Sequence, residues 1–278
     1  MQLFVIFLNN CICSQKRLTL LIMKKIVFLL AALLSLTSCS ILSGINWDSA
    51  QLGQAAGAAM TAMSITDAQI VSLCAQSIAQ EDAQNRIDNG SYAARLKRIL
   101  SGVSIQGLTL DPKVYIKNDI NAFASGDGSI RVYSGLMDVM DDNELFAIIG
   151  HEIGHVVNQD TKKAMKSAYL AAAARGVVNA AGAVGVLSQS VLGDIGQAYF
   201  NSQYSQKQEL AADKFGFEFC VAYNKDPYAM YNSLQKLVKL SSSRQSSYLE
   251  KMFSSHPDNE TRSKRVKDMA DNYVKKGK

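Results

Sequence analysis

A chain of 278 residues that is 48% hydrophobic can build one sizeable buried core, and with only three prolines it has no Pro/Gly-rich linker to divide it. Four of the charges behind the formal +5 are Lys16, Arg17, Lys24 and Lys25, which stand in the first 38 residues without an acid. Removing those four leaves +1, which excludes charge-driven binding to nucleic acid as a reading of this chain.

At the N-terminus, Leu3 to Leu8 and Leu18 to Ile22 are apolar fragments broken by Asn9, Asn10, Lys16 and Arg17. A well-formed secretory signal begins only at Met23, so residues 1–22 read as lying upstream of the true start; an extended n-region and a membrane segment are the alternatives. Met23-Lys24-Lys25 is a charged n-region, and Ile26 to Leu34 is an apolar stretch too short to span a bilayer. Leu36-Thr37-Ser38-Cys39 then resembles a bacterial lipobox, in which small residues precede a cysteine that is acylated after cleavage. Cleavage near Ser38 without acylation, or an uncleaved anchor, is the rival reading. Ser40 is not the acidic residue that favours inner-membrane retention, so the periplasmic face of the outer membrane is the expected location. The chain thus divides into a signal peptide (1–38), a lipidated N-terminus and tether (39–63), and one folded unit (64–278).

In that unit, Ser64 or Thr66 can cap a helix from Asp67 to about Arg86, and Ser91 another to about Leu100. Strands are expected near Val114 to Lys117, Asn121 to Ala124 and Ile130 to Tyr133. Asp141-Asp142-Asn143-Glu144 is a helix start with capping-box spacing, and Leu145, Ile148, Ile149, Ile153 and Val156 follow at helical intervals. Everything after that helix reads as helical.

Two of the three histidines lie on it, in His151-Glu152-Ile153-Gly154-His155. Positions i and i+4 share a helix face, so both imidazoles can address one Zn²⁺ while Glu152, beside the metal, can serve as general base. A metzincin would need Gly at 158 and His at 161, where this chain has Asn158 and Thr161, so the third ligand comes from elsewhere. Glu209 and Asp213, four apart within Gln206 to Tyr223, offer a third ligand and a carboxylate to hold a zinc histidine's N–H. A pair of solvated helix acids fits the same spacing. The third histidine lies in Ser255-His256-Pro257, with Arg262 on the first turns of the next helix. His256 is expected to hydrogen-bond the oxyanion of the tetrahedral intermediate, with Arg262 positioning it or neighbouring acids; a surface histidine is the other reading. Thr161 to Phe200, rich in Ala and Gly, reads as helix, loop and helix, either as a lid over the cleft or as plain packing. The basic run from Arg262 to Lys278 is interleaved with Glu260, Asp268 and Asp271 and reads as a solvated amphipathic helix, with contact to an anionic membrane as the second reading. Cys74 and Cys220 are either a disulfide or two buried small hydrophobes.

Taken in order, His151 to His155, Glu209 with Asp213, and His256-Pro257 with Arg262 resemble the HtpX/BepA/LoiP-type gluzincin metallopeptidases, nearest to LoiP-like lipoproteins. The resemblance includes Asn121-Ala122-Phe123-Ala124 and Gly128 to Met137, and spans about Ser64 to Asp271. Asp160 departs from it, standing where related proteins often carry a histidine. It implies an α+β, mainly helical zinc-peptidase domain with a small antiparallel sheet before the zinc helix, and one Zn²⁺ per chain. It also implies that Asn121, Ala122, Phe123 and Ala124 bind substrate by strand addition. The expected partners are unfolded or misfolded envelope proteins, outer-membrane assembly factors, and a membrane reached through Cys39. The alternative is a peptidase-fold chaperone or assembly factor for outer-membrane proteins that hydrolyses little.

Overall fold

A computed structural model describes residues 65–175, 188–242, 246–257 and 259–277, all within one compact unit, Gly53–Lys278. The expectations for 1–38 and for the tether to residue 63, Cys39 included, lie outside the described residues, as does the centre of the proposed lid, 176–187.

The first helix, α1 (Asp67–Gln84), starts at Thr66, whose side chain and that of Gln69 form a reciprocal capping box. Helix α2 (Ser91–Ile99) is capped differently from the sequence expectation. Gly90 is the N-cap, and Asp88 Oδ2 accepts from the backbone N–H groups of Gly90 and Ala93, doing from outside what Ser91 was expected to do. Strands β1 (Asp111–Tyr115), β2 (Ala122–Ala124) and β3 (Ser129–Tyr133) form a sheet in the order β1-β3-β2. The sheet is mixed, which corrects the antiparallel expectation. β2 pairs antiparallel with β3, whereas β1 runs parallel to it in the register Asp111↔Ser129 to Tyr115↔Tyr133. Every residue of β3 is buried, because it is the central strand, while β2 is an edge.

A short helix α3 (Ser134–Val139) leads to α4 (Asp142–Val157), whose Asp141 N-cap and Glu144 make the capping box read from the sequence. Then follow α5 (Asp160–Ala174), α6 (Gln189–Phe200), α7 (Gln206–Ala222), α8 (Ala229–Ser241), α9 (Glu250–Ser255) and α10 (Asn259–Lys275). The closest packing pairs α4 with α7. Small residues allow it. A Cβ on Gly154 would lie 3.2 Å from the Ala212 backbone, and one on Gly216 3.1 Å from the Ala147 carbonyl oxygen. Backbone thus meets backbone along the helix faces that carry His151, His155, Glu209 and Asp213.

The core has two parts. One gathers the sheet with α2, α4, α7, α8 and α10, and includes Leu145, Ile149, Ile153 and Phe219. The other packs α1, α5 and α6 through Leu73, Met165, Tyr169 and Ile195. Cys220 belongs to the first and Cys74 to the second, and both are free thiols, so of the two readings the buried small hydrophobes hold and the disulfide does not form. Burial pushes their pKa values to about 12 and about 11, leaving two inert small hydrophobes. Among the described residues no helix is long and apolar enough to cross a membrane.

Candidate metal centre

His151 and His155 project from α4 toward Glu209 on α7, and all three side chains are buried. His151 Nε2 and His155 Nε2 are 3.2 Å apart. Glu209 Oε1 lies 3.3 Å from His155 Nε2, and Oε2 lies 3.7 Å from His151 Nε2. Ligands about 2.0–2.1 Å from a tetrahedral zinc are separated by about 3.3 Å, so these spacings fit a single ion. Two imidazole lone pairs face to face at this distance repel unless a cation or proton lies between them. The donor set therefore passes the test for zinc on its own geometry.

The remaining nitrogens of both histidines are held by carboxylates. His151 Nδ1 lies 2.9 Å from Asp213 Oδ1, and His155 Nδ1 lies 3.3 Å from Asp160 Oδ2. Each contact assigns the proton to Nδ1 and leaves Nε2 free to ligate. Asp213 was legible in the sequence, one turn beyond Glu209. Asp160 was not: it stands out there only as a departure from related proteins, yet it is buried against a ligand and the auxiliary contact is made.

Arg262, buried on α10, ties the acids together. Nε and Nη2 donate to the two oxygens of Asp213 at 2.8 and 2.6 Å, and Nη1 lies 2.6 Å from Glu209 Oε2. The last contact is a close ion pair rather than an aligned hydrogen bond. Of the two roles expected for Arg262, positioning the acids is the one its contacts describe. Burial works against the charge on Asp213, but the Arg262 fork outweighs it and holds the carboxyl below its usual range. Burial also lowers the pKa of His151, favouring the neutral ring that a ligand must be. At His155, burial is overcome by Asp160 and Glu209, which raise it to about 9; a central cation answers the same negative field.

His256 sits closer to the centre than an oxyanion donor would. Its Nδ1 is 3.4 Å from His151 Nε2 and 3.0 Å from Glu209 Oε1, so it stands at the fourth corner of the donor set. Its Nε2 is 3.7 Å from Glu152 Oε1. The surface-histidine reading is excluded by its burial, and the oxyanion role would require the ring to swing off that corner.

A cleft opens from this centre toward the sheet, lined by Asn121, Ala122, Phe123 and Ala124, by Glu152 and His256, and by Tyr199 and Tyr204. Tyr133 N donates to Asn121 O, and Ser125 N to Ser129 O. By antiparallel alternation the amides of Ala122 and Ala124 therefore point away from β3, toward the cleft. Phe123 is half-buried, its ring edge-on to Phe200 at 5.1 Å. Tyr204, which sequence reasoning passed over, stacks on the His155 ring at 3.8 Å with the planes 10° apart.

Comparison with known proteins agrees with this geometry. The model of peptidase family M48 matches residues 90–270. Metalloprotease LoiP of Escherichia coli (strain K12) is 41% identical over 244 residues, 86% of this chain and 95% of that protein. Metalloprotease YcaL of the same strain is 35% identical over 237 residues, covering 84% and 87%. A protease HtpX homolog of Salinibacter ruber (strain DSM 13855 / M31) is 28% identical over 192 residues, covering 57% and 68%.

Proposed function

Because the chain belongs to peptidase family M48 it is a zinc metalloendopeptidase, and we propose that it acts on unfolded or damaged envelope proteins from a lipid anchor at Cys39, on the periplasmic face of the outer membrane. The observation that carries the reading of the site is the buried set His151, His155, Glu209 and His256, with a carboxylate behind each motif histidine and Glu152 facing an edge-strand cleft.

In this reading His151, His155 and Glu209 hold the zinc. When bound, the zinc supplies a Lewis acid that brings the pKa of water toward 7 and polarises a carbonyl. Ala122 and Ala124 present backbone groups to an extended peptide, which suits a substrate recognised by its unfolded main chain more than by a folded surface. Glu152 takes the proton of the attacking water and returns it to the leaving amine. Asp160 and Asp213 fix the ligand tautomers, and Arg262 keeps Glu209 and Asp213 in place.

His256 at the fourth corner favours a second reading, a peptidase-fold chaperone or assembly factor for outer-membrane proteins with little hydrolysis. Replacing Glu152 separates the two. Zinc-loaded wild type should cleave an unfolded protein, and Glu152→Gln should lower kcat by at least about 10²-fold while retaining zinc. Equal inactivity of both proteins with zinc bound would move the binding reading ahead.

A further inference from the structure

Peptide hydrolysis places negative charge on the scissile carbonyl oxygen, and a donor aimed at that atom is worth about 10²–10³ in rate. The donors beside the metal centre are mostly committed. Arg262 is spent on Asp213 and Glu209, and His256 directs Nδ1 into the donor set.

We propose that the Tyr204 hydroxyl donates this hydrogen bond, making Tyr204 a catalytic residue of the cleavage reaction; the proposal rests on the zinc-peptidase reading above. Tyr204 lies in the short connection between α6 and α7. Its backbone N–H donates to Ser255 O at 3.1 Å, pinning it beside His256, and its ring stacks on His155. It lines the cleft that also contains Glu152 and the edge strand. Its hydroxyl has no hydrogen-bond partner among the described residues, whereas the other tyrosine lining that cleft, Tyr199, donates to Ala124 O and Ser125 Oγ at 3.5 and 3.4 Å. Tyr204 is half-buried and its hydroxyl is not among the fully buried polar atoms, so it stays open to a ligand in the cleft that the residue lines.

The proton balance is simple. As the water oxygen bonds to the carbonyl carbon, the carbonyl π pair moves onto its oxygen and the water proton passes to Glu152. When the C–N bond breaks, the pair returns to re-form the carbonyl and Glu152 protonates the amine. Tyr204 keeps its own proton and only strengthens its hydrogen bond as charge builds.

Tyr204→Phe keeps the ring that stacks on His155 and removes only the hydroxyl. In the full-length, zinc-loaded protein it should lower kcat about 10²-fold on an unfolded protein, with KM, zinc content and Tm unchanged. It should weaken binding of a phosphinate peptide, whose tetrahedral oxyanion mimics the charged state, by a similar factor, and leave binding of an uncleaved peptide to the Glu152→Gln background unaltered. Wild-type kcat and phosphinate affinity in Tyr204→Phe would overturn the proposal alone. A wild type that neither cleaves nor binds the phosphinate would bring down the peptidase reading, and the proposal with it. Loss of zinc or of Tm in Tyr204→Phe would also overturn it, showing that the hydroxyl supports the fold.

Discussion

At the scale of single residues, the site divides by how far each contact reaches along the chain. His151, Glu152 and His155 are legible because helical periodicity alone puts both imidazoles on one face. Asp213 follows from Glu209 by the same rule. Asp160 is only five residues beyond His155, yet its role depends on a reversal no periodicity announces. Gln159 takes a left-handed conformation, φ 61°, which folds the start of α5 back against the motif helix. A non-glycine residue in that region is uncommon, and here it delivers a carboxylate to a zinc ligand. Asp160→Asn should therefore weaken zinc binding by about 10–100-fold, because an amide neither fixes the His155 tautomer as firmly nor raises its basicity. Competition against a zinc-chelating dye would measure it. Unchanged affinity would mean that the 3.3 Å contact only closes the turn. Tyr204 escaped for a similar reason: it stands 49 positions from the ring on which it stacks, in a stretch with no motif of its own.

At the scale of elements, what the sequence made readable was local chemistry. The capping box at Asp141 is read from its spacing and Thr66 is one of two caps offered for α1, since in each case the partners lie within four residues. The sheet was harder, because strand order is decided by contacts outside the strands. β3 lies between β1 and β2 and buries Arg131, whose Nε and Nη2 donate to the Asp82 carboxylate of α1 at 2.7 and 2.9 Å. Lys113 and Tyr115 of β1 donate to the same carboxylate at 2.8 and 2.6 Å. One acid thus fastens α1 across both parallel strands, an arrangement no alternation of hydrophobic residues reveals. Burial disfavours its charge, but Arg131, Lys113 and Tyr115 prevail and lower the pKa from 3.8 to about 2. A depressed carboxyl pKa stabilises the fold above the unfolded value and loses that contribution as pH falls through the folded value. The wild type should accordingly lose on the order of 2 kcal/mol between about pH 4.5 and pH 2 through this group. Asp82→Asn, which leaves the buried guanidinium only the half-exposed Asp111 carboxylate as a charged partner, should be less stable by about 3 kcal/mol at neutral pH and lack that portion of the acid slope. Urea unfolding at stepped pH would test it. Parallel acid slopes in the two proteins would assign the acid sensitivity to other carboxylates.

At the scale of the whole molecule, the question is what would hold such an enzyme at a membrane. Without residues 1–38 the chain carries a formal charge of only +1, and the basic C-terminal run is weaker than its count suggests. Arg262 is buried in the metal centre, and Lys267 is paired with Asp271 at 2.8 Å. Each exposed cation near an anionic surface contributes only about 1 kcal/mol, and salt screens it. No described helix can cross a bilayer. Surface charge therefore supplies little attachment, and the proposed anchoring rests on acyl chains at Cys39, each buried CH₂ contributing about 0.8 kcal/mol. If so, the full-length protein should sediment with membranes and resist a high-salt wash. Cys39→Ser, unable to accept lipid, should move to the soluble fraction while retaining the zinc and specific activity of the wild type. A Cys39→Ser protein that stays in the membrane fraction after salt washing would refute lipid anchoring at this cysteine and point to retention by the segment before it.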